Sequence, residues 1–265
     1  MNIFLHELKA NRKSIIIWSV SLALIVIFFL SIYPSFAKDA DAFSKMLSGY
    51  PEAIRNALGM HLGSFFTILG FYCFPLTFIT LMGAIQAMNL GTAIVSKEVR
   101  EKTADFLLTK PVTRTTVLTA KLLAATVSII ITNIVYIAAG ILMANQVKTD
   151  DFSMKLFILL SLTMFFIQLI FLALGIIISV IVPKIKSVLS VSLSTVFVFY
   201  FLGMLSDSSG EDAKRYITPF KYFDTAYILK HSSYESSFLI VGAVIIILAI
   251  VGSYFVYTKK DIHAV

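Results

Sequence analysis

Six long stretches of this chain carry no Asp, Glu, Lys or Arg: Ser14–Ala37, Leu62–Ser96, Leu122–Val147, Leu156–Pro183, Ser187–Ser206 and Ser236–Thr258. Apolar runs of roughly 18 residues or more are long enough to cross a bilayer as helix. No other feature of the sequence restricts its fold as strongly. The expected fold class is all-α integral membrane, one transmembrane domain over residues 1–265. A membrane β-barrel would show alternating segments of about 10 residues, and none is present. Only 14% of the 265 residues are charged and 58% are hydrophobic. Soluble domains carry about 25% charged residues, so a soluble globule and a disordered chain are both excluded.

The charges between the stretches give an orientation. Six spans place both termini on one side. The segments on that side hold 13 of the 22 Lys and Arg and 5 of the 15 acids, a net +8, against −1 on the other side. Short loops rich in Lys and Arg stay in the cytosol, so both termini are expected there. The basic balance then reflects topology and contact with anionic membrane lipids, and needs no nucleic-acid partner. Ser35-Phe36-Ala37 resembles a signal-peptide cleavage site, but the apolar run before it exceeds the 7–15 residues of a secretory core. It is read as a retained span.

Ile3, Phe4 and Leu8, interleaved with His6, Glu7, Lys9, Arg12 and Lys13, give residues 1–13 the pattern of an amphipathic interfacial helix. Two short helices are expected between spans 1 and 2, the second starting at Pro51. The 35 residues of Leu62–Ser96 are too long for one span and too short for two. They predict one kinked helix that projects into the cytosol and leads into the charged stretch Lys97–Arg114. Residues 207–235 mix charges with Tyr216, Phe220, Tyr222 and Phe223. Such a mixture suits an interfacial or re-entrant element, with Pro219, Phe220, Tyr222 and Phe223 as lid candidates over the exit.

Several chemistries are missing. No Asp, Glu, Lys, Arg or His lies well inside a span, whereas ion-coupled transporters place such groups at the midplane. There is no phosphate-binding GxxxxGK[ST] loop, no HExxH and no GxSxG. Cys73 is alone, and His6, His61, His231 and His263 have no ligand spacing. No catalytic residue and no metal site is expected, and any energy must enter from a partner. The uncharged polar groups Gln86, Asn89, Asn133 and Gln168 either line a path or join helices by hydrogen bonds. Lys121, near the start of span 3, is expected to snorkel to the interface. A secondary transporter and a non-transporting scaffold are the alternatives to a partner-driven translocase.

Glu98, Arg100, Thr103, the pair Leu107-Leu108, then Pro111, Thr113, Arg114 and Lys121 resemble the signature of type 2 ABC transporter permeases. Lys102 stands where that family usually has Gly, and Thr113 replaces Ser but keeps the hydroxyl. Thr218-Pro-Phe-Lys-Tyr-Phe-Asp224 is similar to a stretch in one bacterial branch. The chain also resembles the small bacterial permeases of the bacitracin-resistance and phenol-soluble modulin export kind. The resemblance implies a cytosolic coupling helix between spans 2 and 3, built from those residues and seated on an ATPase. It implies two ABC ATP-binding subunits, which bind ATP and Mg so that this chain carries no cofactor, and a second permease chain, an identical copy in a homodimer. It also implies export of a hydrophobic or amphipathic cargo across a bacterial plasma membrane.

Overall fold

The computed structural model describes residues 3–60, 64–100, 113–182, 184–209 and 212–259. These residues are helical, without strands, and six helices are long and apolar enough to cross a membrane. In chain order they are α1 (Ile3–Lys38), α4 (Ile68–Arg100), α5 (Arg114–Val147), α6 (Met154–Ile181), α7 (Val188–Ser209) and α9 (Ser236–Lys259). Two short helices, α2 (Ala40–Ser48) and α3 (Glu52–Ala57), follow α1, and α8 (Thr225–His231) precedes α9. The spans alternate in direction. Residue 3 and residue 259 therefore share one end of the bundle, the terminal end, while α2, α3 and α8 gather at the opposite, distal end.

The separate interfacial helix expected over residues 1–13 is not a separate element. Those residues from Ile3 onward are the first turns of α1, which runs unbroken for 36 residues. No Pro or Gly occurs before Pro34, so nothing in the sequence interrupts its hydrogen bonds. At 1.5 Å per residue α1 is about 54 Å long, against a hydrocarbon core of about 30 Å, so its polar first turns extend past the apolar layer. Ile15, Ser19, Leu22, Val26, Leu30 and Tyr33 form its buried stripe. Ile16, Ile17, Val20, Leu24 and Phe28 point away from the bundle, a surface that only lipid or another apolar chain can cover.

The second span also begins later than the uncharged run. Residues 64–67 form a turn, and α4 starts at Ile68. Thr67 sets that boundary: its Oγ1 donates to the Ser64 carbonyl at 2.7 Å and accepts from the Gly70 amide at 3.2 Å, a side-chain cap of the kind that starts helices. Gly70 lets the turn close, because a Cβ there would lie 1.9 Å from the Ser64 oxygen. At the far end α4 continues to Arg100, as the projecting helix requires. The third span starts earlier than its uncharged run, at Arg114. Thr113 caps it, accepting from the Thr116 amide at 3.2 Å.

The centre of the bundle is the pair α4 and α6, which share the most extensive interface. Where they cross, Gly91 faces Gly175. A Cβ on Gly91 would lie 2.4 Å from the Leu172 carbonyl oxygen, and one on Gly175 would lie 2.8 Å from that of Met88. Small residues allow membrane helices to approach this closely. The α1–α5 pair packs on one side, while α7 and α9 flank the other.

The distal end is closed by the segment between α7 and α9. It forms two 3-10 turns, Asp212–Ile217 and Pro219–Lys221, before α8. Arg215 fastens it. Its guanidinium bonds Glu235 at 2.5 Å and the Lys221 carbonyl at 3.3 Å, and sits 4.3 Å from the Phe238 ring centroid.

Candidate functional site

Lys121 organises the terminal end. Its side chain is 4% exposed, so a bare ammonium there would be costly. Its partners include the Ile94 carbonyl of α4 at 2.8 Å and the Glu7 carboxylate of α1 at 3.4 Å. The lysine was expected to snorkel to the interface; instead it ties the first turns of α1 and the last turns of α4 to the start of α5. Glu7 went unremarked as its partner in the sequence, because only the packing of α1 on α5 brings the two together. Arg114, beside the Thr113 cap, reaches the Tyr257 carbonyl of α9 at 3.5 Å. Glu98 and Arg100 lie in the last turn of α4. Thr103, Leu107, Leu108 and Pro111 lie outside the described residues. The described ends of α4 and α5 nevertheless bracket that segment at the terminal end.

Deeper in the bundle, three of the four uncharged polar candidates bind one another. Gln168 of α6 donates to the Gln86 carbonyl oxygen at 2.9 Å and accepts from the Asn133 amide at 2.6 Å. Gln86 donates to Thr132 at 3.0 Å, and Ser19 donates to the same hydroxyl at 3.4 Å. The chain of bonds crosses α1, α4, α5 and α6, and every member is buried. In apolar surroundings an unpaired polar group is costly, and these bonds leave only Asn133 Oδ1 of the network's side-chain atoms without a partner among the described residues. A second cluster lies nearer the distal end: the Tyr72 hydroxyl bonds those of Tyr136 and, at 2.9 Å, Ser161. The polar positions Ser128, Thr132, Asn133 and Tyr136 within a long uncharged span were the available signal for both.

Two cavities lie on either side of the Gln86–Gln168 contact. A cleft of about 480 Å³ opens at the terminal end between α1, α4 and the start of α7, with Asn11, Trp18, Gln86, Asn89 and Lys186 in its walls. Gln86 and Asn89 thus wall this cleft, whereas Asn133 and Gln168 stand behind it. Asn89 Oδ1 is buried and has no hydrogen-bond partner among the described residues. The distal cavity, about 360 Å³, lies between α3, α4, α6, α7 and the segment before α8.

Of the lid candidates, Phe220 and Phe223 line the distal cavity. Pro219 and Tyr222 are buried beneath them. Phe223 stacks on Phe166 at 5.5 Å, Phe220 meets Phe171 at 5.2 Å and Tyr222 stacks on Phe238 at 5.6 Å. Burial pushes the Tyr222 phenol above its ordinary pKa, so it stays a neutral donor to the Tyr216 carbonyl at 2.9 Å. The segment is packed into the bundle and is no free loop.

The family model described as ABC-2 family transporter protein matches residues 1–262. The chain belongs to that family. No curated protein matches it. As an ABC-2 permease it is a multi-pass membrane subunit of an ABC transport system, and its family implies partnership with an ABC ATP-binding subunit. The permease carries Thr113, Arg114 and Lys121 at the terminal end, where α1, α4, α5 and α9 are held together by buried or partly buried polar contacts. Among the described residues no cluster of His, Cys, Asp and Glu could hold a metal ion.

Proposed function

We propose that this permease forms the path by which an ABC exporter moves a hydrophobic or amphipathic cargo, such as a membrane-active peptide, an antibiotic or a lipid-like molecule. Supporting this reading above all is the pair of cavities at opposite ends of one bundle, separated by uncharged polar contacts along α4. Both walls mix apolar side chains with polar ones, which suits an amphiphile. Lys121, held by Glu7 and Ile94, lies near the start of α5 and not at the midplane, where ion-coupled transporters place their ionisable groups. Hydrolysis then belongs to the ATP-binding subunit, with ATP and Mg bound there. Two such subunits serve a homodimer of permeases in a bacterial plasma membrane, both termini in the cytosol.

Coupling runs through residues 97–114, where Glu98, Arg100, Thr103, Leu107, Leu108 and Pro111 contact the ATPase and pass its motion to α4 and α5. The test is to coexpress the permease with its ATPase and measure ATPase binding and cargo export for Glu98→Ala, Leu107→Ala and Arg114→Ala at matched expression. A buried interface anchor is worth about 1–3 kcal/mol, so export and binding should both fall while membrane insertion and permease pairing persist. Wild-type binding and export in all three variants would overturn the reading.

A further inference from the structure

The distal cavity has a chemical bias beyond its apolar walls. Four threonines line it, and three of them donate their hydroxyl proton to their own helix: Thr77 to the Cys73 carbonyl at 3.3 Å, Thr80 to that of Thr77 at 2.9 Å, and Thr163 to that of Leu159 at 3.5 Å. A hydroxyl has one proton and two lone pairs. These three therefore offer the cavity only acceptors. Two carboxylates join them, Glu52 at the start of α3 and Asp224 before α8, against the single ammonium of Lys221. Asp224 uses Oδ1 to cap α8, accepting from the Tyr227 amide at 2.9 Å, which fixes its charge at the cavity wall. Tyr200, Phe220 and Phe223 supply aromatic rings, whose faces attract cations. Leu76 and Ile167 supply aliphatic wall.

We propose that this cavity binds the cationic head of an amphiphile, a primary amine or a guanidine on an apolar body. Two carboxylates against one ammonium disfavour a carboxylate or phosphate head, and a neutral alcohol brings no charge to offset the acidic excess. At about 360 Å³ the space is at the small end of ligand sites, which run from roughly 300 to 1,000 Å³. It accommodates a head and a short chain, with a longer tail extending along the bundle. The proposal deepens the export reading by naming the charge of the cargo, and rests on it for the role of the site but not for its ligand.

The test titrates octylammonium, octanol and octanoate into the purified full-length permease in nanodiscs, without any ATPase, and subtracts partitioning into empty nanodiscs. Octylammonium should bind saturably and roughly tenfold more tightly than octanol, the worth of one charge-assisted contact. Glu52→Gln and Asp224→Asn should each remove most of that advantage and leave octanol binding unchanged; Asn preserves the cap. Thr80→Val, which keeps the volume and removes an acceptor, should weaken octylammonium several-fold and gives a third reading if a charge variant fails to fold. Equal affinity for octylammonium and octanol, tighter binding of octanoate, or no change in the folded variants would overturn the proposal. With no ATPase present, failure here is separable from failure of the export assay.

Discussion

Single residues in this bundle matter most where a polar group is buried. Lys121 satisfies a carbonyl of α4 and a carboxylate of α1 at once. Lys121→Ala leaves both without it and should lower stability by about 1–3 kcal/mol, read as a fall in apparent Tm in detergent. Glu7 is partly solvated, at 18% exposure, so Glu7→Gln should cost under about 1 kcal/mol. The double variant should cost no more than Lys121→Ala alone; full additivity would show that the two side chains do not act together. Gln86 and Gln168 permit a similar cycle. Either Gln→Leu change strands the partner's amide, whereas the double change replaces both by apolar groups. Interhelical hydrogen bonds in membranes average about 0.6 kcal/mol, so each single variant should be destabilised and the double variant by less than the sum. A double variant at or beyond the sum would mean that the bond is not formed.

Whole elements are placed by backbone approach. α4 and α6 cross at Gly91 and Gly175, where an added Cβ meets backbone that cannot rotate away. Gly91→Ala should therefore force the helices apart and cost about 1–3 kcal/mol or more, seen as a lower Tm and a loss of monodisperse protein. Gly252→Ala is the control, since the nearest atom there is the flexible Ile177 Cδ1 at 3.4 Å. It should be neutral or slightly stabilising, because Ala is the better helix former. Equal effects at the two positions would remove the close crossing as the cause. The element boundaries follow local chemistry in the same way. Thr67 and Thr113 each accept the amide three residues on and begin a span, which an uncharged-run reading overlooks because threonine counts as neutral on either side of a boundary.

At the scale of the whole molecule, the alternation of spans and the uneven Lys and Arg content make one prediction about orientation. Reporter fusions after residue 150, or within 207–235, should report the outside, and fusions at residue 105 or at the C-terminus the inside. An inside signal from 207–235 would remove the orientation. The aromatic packing of that segment against α6 and α9 adds a constraint: cysteines at Tyr222 and Phe223, 2% and 5% exposed, should resist bulky water-soluble reagents. Free reaction at both would mean that the segment opens away from the bundle.

The sequence by itself determined the number of spans, their alternation, the charge asymmetry and the resemblance to the ABC-2 family, because apolar length and charge placement act locally along the chain. It also singled out Gln86, Asn133 and Gln168, since amides inside an apolar run are conspicuous. Whether they faced a path or each other depended on helix rotation and register, and those are fixed by the Gly91–Gly175 crossing, not by either helix alone. The same holds for Glu7 and Lys121, 114 positions apart in the chain and joined only when α1 packs on α5. The distal cavity is the clearest case. Its acceptors come from α3, α4, α6 and the segment before α8; only that last segment stood out in the sequence, and only the convergence of all four gives the space a charge preference.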